Sequence, residues 1–231
     1  MLGLKKFLFK GGSAETLPDD VRSALEAWRA SKAPELDEVH FHTRYVVIDI
    51  VTSGTSPETD KVLSIAASCV RQGMIGPEDS FFIDFSTLEK PEAPGGQGEP
   101  ESALLDRQLV AFLQFVAKAP LVTYHVAYVG GFLQQLFKER LGVDFQPQWV
   151  DMAWLLPAMF SEKSHSIMPL DQWLDAFGFA PGIGRRDAMA NTLMLARLFQ
   201  MLLVRAGGKD VATAQRLVEE SRASSFLRRN H

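Results

Sequence analysis

The sequence is poor in features that would assign it to a specialised class of protein. It contains one cysteine, Cys69, which permits no internal disulfide. The apolar surroundings of Cys69 predict a small core residue rather than a reactive thiol. No uninterrupted apolar run approaches the ~18 residues that a membrane-spanning helix needs. Lys5, Lys6 and Lys10 interrupt the apolar N-terminus, and no small-residue cleavage site follows, so we expect a cytoplasmic protein without a secretory signal and without a membrane partner.

An excess of positive charge is also missing. The 231 residues include 24 Lys and Arg against 28 Asp and Glu, which gives a formal net charge of −4. Because this balance exerts no global attraction on a phosphate backbone, any binding of nucleic acid must be local. The hydrophobic fraction of 46% and the charged fraction of 23% are typical of a globular chain long enough to bury a sizeable core.

Composition shifts along the chain predict three regions. Residues 1–40 form an N-terminal extension, in which Pro18 marks the start of an amphipathic helix. Residues 41–207 form the main domain. Residues 208–231 form a last helix, which Asp210 could cap, and a basic tail.

The main domain is predicted to contain a mixed α/β sheet. Apolar runs at 45–51, 61–71 and 80–85 with short connections indicate an antiparallel meander. Two shorter strands follow, at Leu121–His125 and Trp149–Asp151, and they alternate with helices. We therefore expect five strands with helices on both faces. The predicted helices cover residues 102–119, 129–141, 152–160, 170–177 and 187–206.

Asp49 draws attention because it lies near the end of a strand that is predicted to be buried. A carboxylate there is costly unless something uses it, although a cap on the following turn is the plain structural alternative. Two further stretches share this pattern of a regular element with polar residues at its end. They are the strand and helix of Leu121–Val129, followed by Phe132-Leu133, and Asp187-Ala188 with Thr192 and Leu198-Phe199 on one helix.

In order and separation, the stretches around Asp49, His125 and Asp187 resemble the three motifs of the DnaQ-like 3′–5′ exonucleases, over residues 44–206. The resemblance implies an RNase H-like fold. It also implies removal of nucleotides from a 3′ end by two divalent metals, held by four carboxylates, with a histidine or tyrosine as general base. The family includes proofreading subunits of DNA polymerases.

The chain departs from that family pattern at most of the chemical positions. Asp49 and Asp187 match the first and last carboxylates. Val51 and Val129 stand at the other two, and Gly182 stands where the base is expected. Since valine cannot bind a metal, we predict an exonuclease-fold protein that is catalytically weak or inactive and needs no cofactor. Mg²⁺ or Mn²⁺ is the expected cofactor if the chain is active.

An active exonuclease with substitute ligands is the first alternative. His125, at the end of the fourth predicted strand, and His165, in a polar loop, are the candidate histidines. Asp151, Asp171 and Glu58 are candidate acids, for which solvated or helix-capping roles are the plainer expectation.

Two arginines precede the last matched aspartate. Arg185 and Arg186 either face solvent, or one of them pairs with Asp49 or Asp187 and replaces the charge of the metals. The planar guanidinium suits bidentate pairing with a carboxylate, so the second interpretation is chemically reasonable. Both interpretations stay open at the level of sequence.

Partners are implied by the resemblance rather than by charge. The 3′ end of single-stranded DNA or RNA, a polymerase or other protein, and a second copy of the chain are the candidates. A structural or oligomerisation protein without a nucleic-acid role is the second alternative.

The aromatic side chains Trp149, Trp154 and Trp173 fall in apolar contexts and are predicted to be core residues. The basic residues that are candidates for contacts with nucleic acid are scattered along the sequence, at Arg44, Lys61, Arg71, Arg185, Arg186, Arg228 and Arg229.

Overall fold

A computed structural model describes residues 17–88, 101–179 and 187–229. Within these ranges, five strands form one mixed sheet in the order β3-β2-β1-β4-β5. The strands are β1 (Tyr45–Thr52), β2 (Val62–Arg71), β3 (Met74–Asp84), β4 (Leu121–Thr123) and β5 (Trp149–Asp151).

Helices make up most of the remaining described chain, and the predicted ones are present with shifted ends. No helix in the described ranges combines the length and the apolar character that a membrane crossing requires. The helices are α1 (Asp19–Ala30), α2 (Phe85–Leu88), α3 (Glu101–Val116), α4 (Val126–Leu141), α5 (Met152–Met159), α6 (Leu170–Ala176), α7 (Ala188–Gly207) and α8 (Ala214–Arg229).

The predicted antiparallel meander is confirmed, since β2 pairs antiparallel with both β1 and β3. The third strand begins at Met74, whereas its predicted start was Ser80, so the predicted start was six residues too late. Gln72 and Gly73 both adopt positive φ, at 53° and 72°, and close a tight hairpin between β2 and β3. This turn geometry follows the twist of the strands and lets pairing continue almost to the turn.

Helices cover both faces of the sheet, as predicted. Val46, Ile48 and Ile50 of β1 lie in a core shared with α1, α3 and α4. Tyr45 and Val47, which point to the other face, lie in a second core with α5, α7 and α8. Alternation along one strand therefore serves two cores. Cys69 is 1% exposed and belongs to the first core, which confirms its predicted structural role.

The last helix begins later than the sequence suggested. Asp210 is not its cap, because this residue adopts a left-handed conformation with φ of 60° and α8 starts at Ala214. The hydroxyl of Thr213 instead accepts a hydrogen bond from the backbone N–H of Arg216 at 3.3 Å. A threonine immediately before a helix satisfies one of the free N–H groups of the first turn.

The segment before β1 and the loop before α8 meet on the surface of the sheet. Val39 and Thr213 form an isolated bridge, and the backbone N–H of His40 donates to Ala212 O at 3.2 Å. The imidazole of His40 lies between Tyr45 Oη, at 2.6 Å, and Val211 O, at 2.7 Å. Burial lowers the pKa of His40, which favours the neutral ring in this position.

Candidate functional site

Three strands present their carboxyl ends at one edge of the sheet. β1, β4 and β5 are parallel to one another, and Thr123 Oγ1 donates to Ile48 O at 2.8 Å across the β1–β4 pair. Polar residues near these strand ends therefore lie along a common edge. The edge brings together Asp49 of β1, His125 after β4 and Asp151 of β5.

Asp49 sits in apolar surroundings with an amide as its side-chain partner. Asn191 Nδ2, on helix α7, donates to Asp49 Oδ2 at 3.0 Å. Burial raises the pKa of Asp49 to about 6, an effect that the Asn191 hydrogen bond only partly offsets. The carboxylate is thus held by a neutral donor in a site that disfavours its charge.

Asp187 caps helix α7 and is exposed. Its Oδ1 accepts a hydrogen bond from the backbone N–H of Ala190 at 3.0 Å. Asn191 follows four positions later, on the same side of the helix, so the first turn of α7 lies against β1 at Asp49. Asn191 is a site residue that was not predicted, although its spacing of four residues from Asp187 is a signal that could have identified it.

The two valines predicted to stand at carboxylate positions, Val51 and Val129, differ in exposure. Val129 is 1% exposed and packs in the core that also holds Ile48 and Ile50. Val51 is half-buried. The sequence predicted that Val129 is the first residue of the helix. Helix α4 begins at Val126 instead, so Val129 is its fourth residue. The strand before it is correspondingly shorter, since β4 ends at Thr123 and His125 adopts a left-handed conformation with φ of 65°.

Helix α4 packs closely against the turn after β1. Tyr128 Oη forms a hydrogen bond with Thr52 Oγ1 and donates to Gly54 O at 3.3 Å. A Cβ placed on Gly131 would lie 3.3 Å from Pro57 Cγ, a tighter approach than side chains usually make. A small residue at position 131 therefore lets the helix and the turn meet directly.

Asp151 joins the start of α4 to the end of β5. Its Oδ1 accepts from the backbone N–H of His125 and of Ala153, both at 3.0 Å, and its Oδ2 accepts from Val126 N at 2.9 Å. Asp151 is 7% exposed, and burial raises its pKa. It caps both α4 and α5, in agreement with the capping role predicted for it. The His125 imidazole is exposed and lies edge-on to the Tyr124 ring, with centroids 4.7 Å apart.

The other candidate residues are exposed or lie outside the described residues. His165 is exposed, Asp171 lies in the first turn of α6, and Glu58 is exposed and accepts a hydrogen bond from Ser56 Oγ at 2.7 Å. The positions outside the described residues are Gly182, Arg185 and Arg186.

The residues that the resemblance places at the four carboxylate positions, Asp49, Val51, Val129 and Asp187, do not fit the donor set of a two-metal centre. Two are valines, Asp49 is bonded to an amide, and Asp187 is engaged as a helix cap. Among the described residues, no cluster of three or more His, Cys, Asp or Glu side chains is arranged to hold a metal ion. Hard divalent cations need several oxygen ligands in one place.

Comparison by sequence finds relatives among bacterial polymerases. No family model matches the chain. The DNA polymerase III PolC-type protein of Thermotoga petrophila is 23% identical over an alignment of 172 residues, and the match covers 68% of this chain. The match spans 12% of that polymerase, so the chain corresponds to a small part of its relative.

Comparison by structure finds nucleases. The zinc-bound form of the Escherichia coli exonuclease I complex with single-stranded DNA matches with a TM-score of 0.52 and 18% identity, over 71% of this chain and 41% of that one. The nuclease domain of 3′hExo, a DEDDh family member bound to rAMP, matches with a TM-score of 0.51 and 14% identity, over 72% of this chain and 94% of that one. The predicted RNase H-like fold is confirmed.

Proposed function

We propose that this chain, which is related in sequence and fold to the DnaQ-like 3′–5′ exonucleases, is a nucleic-acid-binding module without two-metal catalysis. The relationship itself is the one that its motifs predicted. The observation that carries the proposal is Val129. This residue occupies a carboxylate position of the family and is 1% exposed, packed into the core with β1.

A buried valine at this position changes the chemistry of the whole site. Neither a metal nor a water can be bound by an isopropyl group, and a carboxylate placed there would lose its hydration inside the core. The position therefore contributes to packing and no longer to ligation. Reversal of the change would require the start of α4 to move away from β1.

Asp49 supports the same proposal through its contacts. Its Oδ2 accepts a hydrogen bond from the amide of Asn191 at 3.0 Å. Burial raises the pKa of the Asp49 carboxyl to about 6, because its surroundings disfavour the charged form. A metal at Asp49 would need several further oxygen ligands, which Val51 and Val129 cannot supply.

Nucleic-acid binding is proposed from the structural neighbours. The exonuclease I structure holds single-stranded DNA, and the 3′hExo domain holds rAMP. This chain keeps the strands and helices that form the corresponding fold. We propose the 3′ end of a single strand as its ligand, with a polymerase as a candidate protein partner because of the PolC-type relative.

A nuclease assay tests the catalytic half of the proposal. Labelled single-stranded DNA and RNA are incubated with the purified chain and with Asp49→Ala, in Mg²⁺ and in Mn²⁺. We expect no release of nucleotides above the level of the variant. Metal-dependent release by the wild type that Asp49→Ala abolishes would show an active site with substitute ligands.

A salt titration tests the binding half. Fluorescence anisotropy of a labelled single strand should report an affinity that falls as the salt concentration rises, since phosphate contacts release counterions. Manganese calorimetry on the same sample should show no tight site. If the strand does not bind at low salt, the chain is better described as a structural or oligomerisation protein.

A further inference from the structure

A separate cavity of about 400 Å³ opens between helix α8 and the start of α4. Its volume falls within the range of small-molecule sites in proteins. It lies over β5, at the edge of the sheet opposite β3. The lining residues that bear on its chemistry are Trp149, Trp154, Phe226, Arg222, Asp151 and Ser225.

Aromatic rings supply much of the apolar surface of this cavity. Phe226 is 69% exposed, an unusual position for a large apolar side chain in the last turns of a helix. Trp173 is fully buried, which confirms its prediction as a core residue. Trp149 packs against the first core but is only half-buried, and Trp154 is half-buried as well, so these two predictions are correct only in part. Trp149 is steadied by an edge contact with Phe145, with centroids 6.3 Å apart. Flat rings that stay partly open offer surfaces for stacking.

The polar groups of the cavity set its charge. Among the described residues that line the cavity, Asp151 is the only acid, and both of its oxygens already accept backbone N–H groups at the starts of α4 and α5. Arg222 is exposed, and its Nη2 donates to Gln148 Oε1 at 2.9 Å. Since helix N–H dipoles offset the buried carboxylate, the positive charge of Arg222 dominates the mouth of the cavity.

We propose that this cavity binds a base of single-stranded nucleic acid, stacked on the aromatic side chains, with a neighbouring phosphate at Arg222. The inference rests on the proposed function and adds a second contact point to it, away from Asp49. Stacking on aromatic side chains tolerates any base, because every base has a π face. A basic peptide is the less suitable occupant, because Arg222 would repel its charge.

Paired variants test the site by anisotropy. Phe226→Ala removes the exposed ring, and Phe82→Ala is its matched control, a phenylalanine 49% exposed on β3 at the other edge of the sheet. Arg222→Gln is matched by Arg22→Gln, an exposed arginine on helix α1 that is not among the basic candidates for nucleic-acid binding. The probes are a short labelled single strand and the same strand with abasic sugars, which carries equal charge without bases.

We expect Phe226→Ala to weaken binding of the normal strand about tenfold and to leave the abasic strand unaffected. Arg222→Gln should lower the slope of log affinity against log salt by about one phosphate contact. The two control variants should bind both strands as the wild type does.

The outcomes separate this site from the proposed function. If the wild type binds the strand but Phe226→Ala and Phe82→Ala bind it with equal affinity, the cavity does not bind a base. The proposed function would stand in that case. If the wild type binds the normal and the abasic strand with equal affinity, the proposal that bases stack on the aromatic side chains is also wrong. If a lysine-rich peptide binds and Phe226→Ala abolishes that binding while strand affinity is unchanged, the cavity belongs to a peptide. If wild type binds neither strand, the nucleic-acid role itself fails.

Discussion

Asp49 is half-buried and Asp151 is buried, and both acids lie near the carboxyl ends of parallel strands, yet their hydrogen bonds differ. Asp151 accepts backbone N–H groups from His125, Val126 and Ala153. Asp49 has one side-chain donor, the amide of Asn191. Burial raises the pKa of both groups. The Asp151 carboxylate is held by backbone N–H groups at the starts of two helices, whereas the Asp49 carboxylate is held by one neutral side-chain amide.

The comparison predicts that neutralising the two acids changes the free energy of unfolding in opposite directions. The loss of Asp151 should destabilise the fold, because backbone donors lose their acceptor. The loss of the charge at Asp49 should stabilise it, because little in the structure compensates that charge. The expected effects below decrease in size.

Asp151→Ala should have the largest effect. It leaves the buried N–H groups of two helix starts without an acceptor, and we expect the free energy of unfolding to fall by about 3–4 kcal/mol. Urea denaturation followed by circular dichroism measures this change. Asp151→Asn, which keeps one acceptor oxygen, should lose roughly half as much. A loss of less than ~1 kcal/mol for Asp151→Ala would mean that water replaces the carboxylate without cost.

Asp49→Asn should stabilise the protein by about 2 kcal/mol at pH 7.5. The pKa of Asp49 is raised to about 6, so the folded state binds its proton more tightly than the unfolded chain does. The resulting stability is complete below the unfolded pKa, near 4, and is lost as the pH rises through about 6. The gain from Asp49→Asn should therefore be large at pH 7.5 and small at pH 4.5.

Denaturation curves at these two pH values check the prediction. Asp187→Asn is the matched control, because Asp187 is exposed and asparagine caps a helix nearly as well. Its stability should change little at either pH. If Asp49→Asn destabilises the fold at pH 7.5, the carboxylate has a partner stronger than Asn191.

Asn191→Leu should have the smallest effect. It removes the amide that donates to Asp49, so the pKa of Asp49 should rise beyond about 6 and stability at pH 7.5 should fall by about 1 kcal/mol. Carboxyl-carbon NMR titration measures the pKa directly. In the Asp49→Asn background the same substitution should cost less, because no charge remains to be stabilised.

Much of the fold was accessible from the sequence because hydrophobic patterning determines it. The apolar run of β1 and the meander that follows are local features, and the helices follow from their periodicity. The errors occur at element ends. Asp210 was a poor choice of cap because its backbone turns to positive φ, and α4 begins three residues before the predicted Val129. Capping depends on geometry that residue type alone does not fix.

The candidate site was less accessible. The positions of Val51 and Val129 could be found by resemblance, but their burial depends on how α4 packs against β1. Asn191 is four residues from Asp187 and could have been noticed; its contact with Asp49 spans 142 positions in the chain. Phe226 and Trp149 meet in one cavity only because α8 folds back onto β5. Such long-range proximity leaves no periodic signal in the sequence.

The bridge between Val39 and Thr213 bears on where the folding unit ends. Leu217 and Val218 of α8 are fully buried in the second core. His40, in the segment before β1, contacts Tyr45 of the same core through its imidazole. Loss of α8 after a proteolytic cut between α7 and α8 would expose the apolar residues of α5 and β5 against which this helix packs. We expect such a fragment to aggregate rather than persist as a trimmed domain, because the helix that looks like an appendage seals the interior.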